Sequence, residues 1–295
     1  MSRAIHYAEL MSAFHNRFGI IPDYEHILEC TYTRLITPGG TVADIGAHSG
    51  RHTAVFANLV GDGGSVHAFE PLPSACLDLL SRKLGHQVKL HQCAISTRRG
   101  RETFIHAQGA PEESGFRVKT YNRPELVRPE QIEVSVVPLD DYIGQFEMLQ
   151  FIKVDAEGAE IDCIESARQT ISRFRPFISV EYGQPGYSAY DLHRGDLFNL
   201  ASSIQYQVGD LFGAICHDLE TWERVCDAAH WDWYLVPNER VEEWRARLLQ
   251  SQAAFIATAE PQAAAIVTAD LVIVQQPLPE RVSLPRSLLD RLHLR

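Results

Sequence analysis

Val42-Ala43-Asp44-Ile45-Gly46-Ala47-His48-Ser49-Gly50 joins a short apolar run to two glycines, and a stretch with helical periodicity, Thr53 to Val60, follows at once. A strand that ends in a glycine-permitted tight turn and passes directly into a helix leaves a crevice at the carboxyl edge of a parallel sheet. Downstream, apolar runs at Ser65 to Phe69, Val88 to Cys93, Phe151 to Val154 and Phe177 to Glu181 alternate with amphipathic segments at Ser74 to Leu84 and Glu160 to Ser172. Near-continuous apolar strands separated by helices predict an α/β fold, a Rossmann-like, doubly wound and mostly parallel sheet covered on both faces.

Around that core, helix-like spacing from Tyr7 to Ile36 (Leu10 and Phe14, then Ile27, Leu28, Tyr32) predicts an N-terminal helical segment at 1–38. The α/β domain is expected over 39–238, closed by a helix at Gly195 to Tyr206 and a strand pair at Gln207 to Ile215 and Trp231 to Val236. A C-terminal extension at 239–295 holds an amphipathic helix from Val241 and a strand-like run at Leu271 to Val274. Homo-oligomerisation or the covering of an exposed face are its plain readings. Residues 108–131 are polar and turn-rich, which suits either a functional loop or a passive surface excursion.

With 295 residues, 45% of them hydrophobic, the chain can bury a full core. Its net charge of −11, with no basic run beyond Arg98-Arg99 and nearby Arg101, argues against a nucleic-acid partner and for a small or neutral one. Six cysteines without a Cys-x-x-Cys pair fit a reducing compartment. The start of the chain lacks a signal-like apolar core and no apolar stretch reaches membrane length, so a cytoplasmic protein without a membrane partner is expected.

The crevice has a distinct charge pattern. Where a dinucleotide fold needs a second glycine near the pyrophosphate, this chain has Ala47 and His48, and Asp44 would repel phosphate but attract a sulfonium or ammonium. Glu70, 20 residues beyond Gly50, sits where a carboxylate accepts from both ribose hydroxyls. S-adenosylmethionine (SAM) satisfies both acids. Helix capping by Asp44 and a solvated strand end at Glu70 are the plain alternatives. After the strand Phe151 to Val154, alternation puts Lys153, Asp155 and Glu157 on one side, with the two acids opening into the crevice.

Taken in order, Asp44 to Gly50, Ala68-Phe69-Glu70-Pro71, His91 to Ser96, Pro138-Leu139-Asp140 and Ile152 to Glu160 resemble the FkbM family of SAM-dependent methyltransferases, over roughly Thr41 to Val236. The resemblance implies a class I methyltransferase fold and O-methylation of a hydroxyl on a small molecule, a sugar or a polyketide-like natural product. It implies cofactor contacts at Asp44, Gly46, Ala47, His48, Gly50 and Glu70, with Gln92 and Ala94 near the adenine. It makes Asp155 and Glu157 the leading active-site acids. The family commonly has Asn where this chain has His48, which could serve the cofactor, act as a base or cap the helix.

A hydroxyl is a poor nucleophile until its proton is leaving, so a general base is sought among Asp155, Glu157, His48 and Glu181, with Asp155 favoured. Metal assistance through Asp155, Glu157 and Glu160, or through His48 and His52, completes no recognised motif, and no metal site is assigned. A nucleotide-dependent oxidoreductase and a non-catalytic SAM-binding protein are the rival functions. The aromatics Tyr121, Tyr182, Tyr187 and Tyr190 are candidate acceptor-site residues or ordinary packing residues.

Overall fold

The computed structural model describes Asn16, Gly19 and residues 22–258. Packing divides the chain into Met1–Leu248 and Leu249–Arg295, and of the second unit only residues 249–258 are described. The helical spacing at Leu10 and Phe14 and the run at Leu271 to Val274 lie outside the described residues.

The large sheet has eight strands. Five are parallel: β1 (Thr41–Ile45), β2 (Ser65–Phe69), β3 (Val88–His91), β7 (Leu149–Val154) and β8 (Phe177–Glu181). The remaining three, β9 (Tyr206–Gly209), β10 (Ile215–Cys216) and β11 (Asp232–Pro237), close one edge, giving the order β10-β9-β11-β8-β7-β1-β2-β3. Strand order reverses between β1 and β7, the topological switch point at which α/β sheets open a crevice. Helices α1 (Tyr24–Leu35), α2 (Arg51–Val60) and α3 (Pro73–Ser81) precede β7; α4 (Glu160–Glu165) and α5 (Arg168–Phe174) follow it.

Period-two alternation divides the apolar side chains between the two faces. Ile45, Ile152, Val154, Ile178, Val180 and Leu235 join a cluster around Cys163, Ile164 and Trp222. Val42, Val66, Phe151, Phe177 and Tyr234 face the other way, onto Leu28 and Tyr32 of α1, Phe56 and Val60 of α2, and Trp244. α1 begins where Asp23 accepts from the His26 N–H, so the N-terminal helix is both capped and packed onto the sheet.

Four elements differ from the sequence expectation. β3 stops at His91, because Ala94–Ile95 (β4) belongs to a second, three-stranded sheet with β5 (Gly100–Gln108) and β6 (Arg128–Val137). β5 and β6 form a long antiparallel hairpin whose outer face is exposed, which dilutes the apolar alternation that would have revealed it. The single helix expected over Glu160 to Ser172 is two, since the Ser166 hydroxyl takes the Leu139 N–H while Asp140 accepts from Gln169 and Thr170 to start α5. The strand expected over Gln207 to Ile215 is split, because buried Asp210 accepts from the N–H groups of Phe212 and Ala214 and turns the chain. Among the described residues no helix is long and apolar enough to cross a membrane.

Candidate functional site

A cavity of about 310 Å³ lies at the carboxyl ends of β1, β2 and β7. Gly46 makes this junction possible. Its φ is +77°, and a Cβ there would lie 1.8 Å from the carbonyl oxygen of Asp155, so the β1 turn touches the end of β7 backbone to backbone. Both sides are fixed, the Gly46 N–H donating to the Phe69 carbonyl and the Asp155 N–H to that of Ile45.

Glu70 directly follows β2 with its side chain turned into this turn. Oε2 accepts from the His48 N–H at 2.8 Å and Oε1 from the Leu72 N–H at 2.7 Å. Each oxygen keeps a second lone pair for a ligand hydroxyl. Burial raises the carboxyl to about 7, against the opposing pull of those two N–H donors.

A buried charge chain runs across the ends of β7 and β8. Lys153, 3% exposed, donates to Asp155 Oδ2 at 2.7 Å. Burial favours the neutral acid at Asp155, but Lys153 and a hydrogen bond from Glu181 together outweigh it and hold Asp155 below the ordinary carboxylate range. The Asp155 charge, and burial after it, push Glu181 well above that range. Glu157 follows the strand end with φ +54° and pairs with Lys119, whose ammonium also lies 3.9 Å from Glu113. Burial and the neighbouring Asp155 charge raise Glu157 despite this partner. Glu160 accepts from the N–H groups of Ala156 and Gly158, fixing the turn that carries Glu157.

Of the residues singled out in the sequence, Gly46, Ala47, His48, Glu70, Ala94, Asp155 and Glu157 line the cavity. Asp44, Gly50, Gln92 and Glu181 do not. Asp44 is fully buried behind the β1 turn, where Oδ2 takes the Thr53 hydroxyl at 2.6 Å. Gly50 is the left-handed N-cap of α2, packed on Leu79, and Gln92 is exposed beyond the end of β3. Glu181 lines a neighbouring cavity of about 50 Å³ that shares Glu157 with the first. Of the candidate aromatics none lines the main cavity: Tyr182 and Tyr187 stack at 4.9 Å, their hydroxyls donating to the His193 carbonyl and to Asp227. Among the described residues no three His, Cys, Asp or Glu side chains are placed to hold a metal ion.

Sequence reasoning missed Glu25, Lys119, and the wall given by Phe104 and Phe116 of the second sheet region, and it weighed His52, which also lines the cavity, only as a metal ligand with His48. Phe104 lies on β5, whose exposed residues break the apolar alternation, so it left no usable signal.

The buried acids make stability depend on pH. Glu70, Glu160 and Asp210 each titrate near 7 in the fold, burial being the main cause, so the stability of the protonated forms is lost as pH rises from the ordinary carboxylate range through 7. His67 behaves oppositely: burial and the His91 ring lower it to about 4, so its contribution is complete above its ordinary value and is lost as pH falls toward 4. Three acids outweigh one imidazole, so the melting temperature of the ligand-free protein is expected to fall as pH rises from about 5 to about 8. Asp210→Asn, far from the cavity, should flatten this decline in a thermal melt series; a Tm rising steadily to pH 8 would contradict the assignment.

Comparison with known proteins gives three findings. The family model described as the methyltransferase FkbM domain matches residues 44–208. The chain is 31% identical over 152 residues to the 31-O-demethyl-FK506 methyltransferase FkbM of Streptomyces tacrolimicus, covering 42% of this chain and 58% of the relative, so it spans little over half of that protein's length. Among solved structures it is similar to a methyltransferase FkbM from Methylobacillus flagellatus KT (TM-score 0.42, 18% identity, 78% of this chain and 58% of that one). It is also similar to Aeropyrum pernix fibrillarin bound to SAM (TM-score 0.38, 12% identity, 68% of each chain).

Proposed function

Because the chain belongs to the FkbM methyltransferase family, we propose that it uses SAM to methylate a hydroxyl oxygen of a small molecule. The observation that carries this reading is Glu70, a buried carboxylate in a cavity wall whose two oxygens are aimed by backbone N–H groups and retain lone pairs for a diol. Those residues fit a ribose. The name of the curated relative, which refers to an O-demethyl substrate, supports oxygen as the acceptor atom.

In this reading Glu70 binds the ribose hydroxyls, the turn at Gly46, Ala47 and His48 carries the amino-acid end of the cofactor, and Ala94 borders the adenine. Asp44 and Gly50 act from behind the turn, Asp44 by fixing Thr53 at the start of α2 and Gly50 by capping that helix. SAM supplies a methyl group on a positively charged sulfur. Asp155, kept ionised by Lys153, gives the cavity a fixed negative charge that favours such a cation. Glu157 and Glu181, which face the smaller cavity, are assigned to the acceptor side.

The remaining work of such a site is alignment and the exclusion of water. The acceptor is expected to be a small molecule, since the net charge of −11 disfavours a polynucleotide. Calorimetry with SAM and with NAD separates methyl transfer from the oxidoreductase reading. A radiolabelled-methyl assay against a panel of sugars and hydroxylated polyketides then identifies the acceptor class. Glu70→Gln keeps the shape but loses one charged acceptor, and is expected to weaken SAM binding about 10- to 100-fold, the worth of one or two charge-assisted hydrogen bonds. Tight binding of NAD with none of SAM would overturn the proposal.

A further inference from the structure

Arg51 lines the main cavity as the first residue of α2, and Glu25 of α1, ahead of the family-matched residues 44–208, lines it beside Arg51. Nη1 of Arg51 lies 3.7 Å from Oε2 of Glu25, too far for a hydrogen bond, while its Nε donates to Glu29 at 2.8 Å. Both side chains are half-exposed, 53% for Arg51 and 45% for Glu25. Oε2 of Glu25 is itself buried, so the open oxygen of this carboxylate is Oε1. The cavity wall thus presents an anion and a cation side by side, directly after the turn from Gly46 to Gly50.

The other acids around the cavity are committed elsewhere. Glu70 is held by two backbone N–H groups, Asp155 by Lys153 and Glu157 by Lys119. Glu112 belongs to the segment that follows β5 and lines the cavity with Ser114 and Phe116. Asp44, the acid that the sequence offered to an ammonium, is fully buried on the Thr53 hydroxyl and does not line the cavity. A cationic group seated by the turn is left with Glu25, whose carboxyl His52 holds below the ordinary range against the opposing effect of burial. Arg51 offers N–H donors to an anion at the same place.

We propose that Glu25 and Arg51 form the subsite for the α-amino-acid end of the cofactor, Glu25 accepting from its ammonium through Oε1 and Arg51 donating to its carboxylate, an assignment that rests on the SAM reading above. An α-amino acid carries its two opposite charges on a single carbon, and a carboxylate beside a guanidinium complements both at once. The reversed orientation would set like charges against each other, so the pair also fixes which way the ligand lies. The N-terminal helix is then part of the cofactor site, because it brings a carboxylate from outside the matched residues.

Calorimetry at about pH 7, where an α-amino group is largely protonated, tests this with three nucleosides that differ only at that end. S-adenosylhomocysteine carries both charges, its decarboxylated analogue keeps the ammonium alone, and methylthioadenosine has neither. Glu25→Gln is expected to weaken S-adenosylhomocysteine and the decarboxylated analogue about tenfold and to leave methylthioadenosine within about threefold of the wild type. Arg51→Gln is expected to weaken S-adenosylhomocysteine about tenfold and to leave both other nucleosides within about threefold. In the wild type itself, S-adenosylhomocysteine should bind at least about tenfold more tightly than methylthioadenosine.

A Glu25→Gln protein that loses affinity for all three nucleosides alike has lost helix packing and not an ammonium contact, which overturns the proposal. Unchanged binding of S-adenosylhomocysteine in that variant overturns it as well. Should a variant fail to fold, the wild type still decides, because equal affinity for S-adenosylhomocysteine and methylthioadenosine leaves the SAM reading standing and removes the subsite. A wild type that binds none of the three ends the SAM reading and this assignment together.

Discussion

Gly46→Ala is expected to abolish SAM binding, or to prevent accumulation of folded protein, although it adds a single methyl group. Two costs combine at this position. A left-handed backbone costs a residue with a Cβ about 1–2 kcal/mol. The larger cost is steric, for the new carbon would sit 1.8 Å from the Asp155 carbonyl oxygen and 2.9 Å from its carbonyl carbon. Neither partner can retreat, since the Gly46 N–H is held by Phe69 and the Asp155 N–H by Ile45. The turn would have to part from the end of β7, taking His48 away from Glu70. Gly61→Ala is the control: nothing lies within 4 Å of the added carbon, so it should lose only the backbone strain of a glycine-favouring φ of +62° and ψ of −170°, and melt a few degrees lower. Calorimetry and melting curves on both variants decide the matter. A Gly46→Ala protein with wild-type Tm and SAM affinity would mean that the junction is softer than its geometry implies.

The parallel core was legible because buried strands leave an unbroken apolar signature. Thr41–Ile45, Ser65–Phe69 and Phe177–Glu181 have the bounds that the sequence suggested, and the Gly46 turn sits at their carboxyl ends. The β5–β6 hairpin was not legible for the opposite reason, since Arg101, Thr103 and their exposed neighbours interrupt the pattern on its outer face. At the site, local motifs carried Glu70 and Asp155 into the cavity wall, because a short turn fixes a side chain relative to its own strand. They did not reveal that Asp44 is spent on Thr53, that Lys119 reaches Glu157 from 38 residues away, or that Glu25 meets His52 across two helices. Those pairings are tertiary, and no spacing rule in one sequence encodes them. The alternation argument for Lys153, Asp155 and Glu157 held only while the strand did: β7 ends at Val154, and Glu157 is turned by its left-handed backbone toward Lys119.

Lys153→Met should destabilise the fold by about 3–5 kcal/mol, the usual cost of removing one partner from a buried ion pair. One ammonium here serves several acids. Register places Lys153 beside Asp44 on β1, its Nζ lies 2.7 Å from Asp155, and its charge also lowers Glu25 and Asp232. Burial works against that charge, yet Asp155 and Asp44 more than offset it and hold the ammonium above its ordinary range. Methionine fills nearly the same volume, so packing is largely retained and the loss is electrostatic. For a domain of this size the deficit corresponds to a Tm lower by about 10 °C or more. Its pH dependence identifies the cause. Without Lys153 the neighbouring carboxylates titrate higher in the folded state, so they contribute stability below their unfolded values and lose it as pH rises. The gap between Lys153→Met and wild type should therefore be wider near about pH 8 than near about pH 5. Chemical denaturation at the two pH values measures it, and a gap that does not change with pH would assign the loss to packing instead of charge. SAM binding should fail with the ion pair, because Asp155 without its partner takes up a proton and the cavity loses the fixed negative charge that favours a sulfonium.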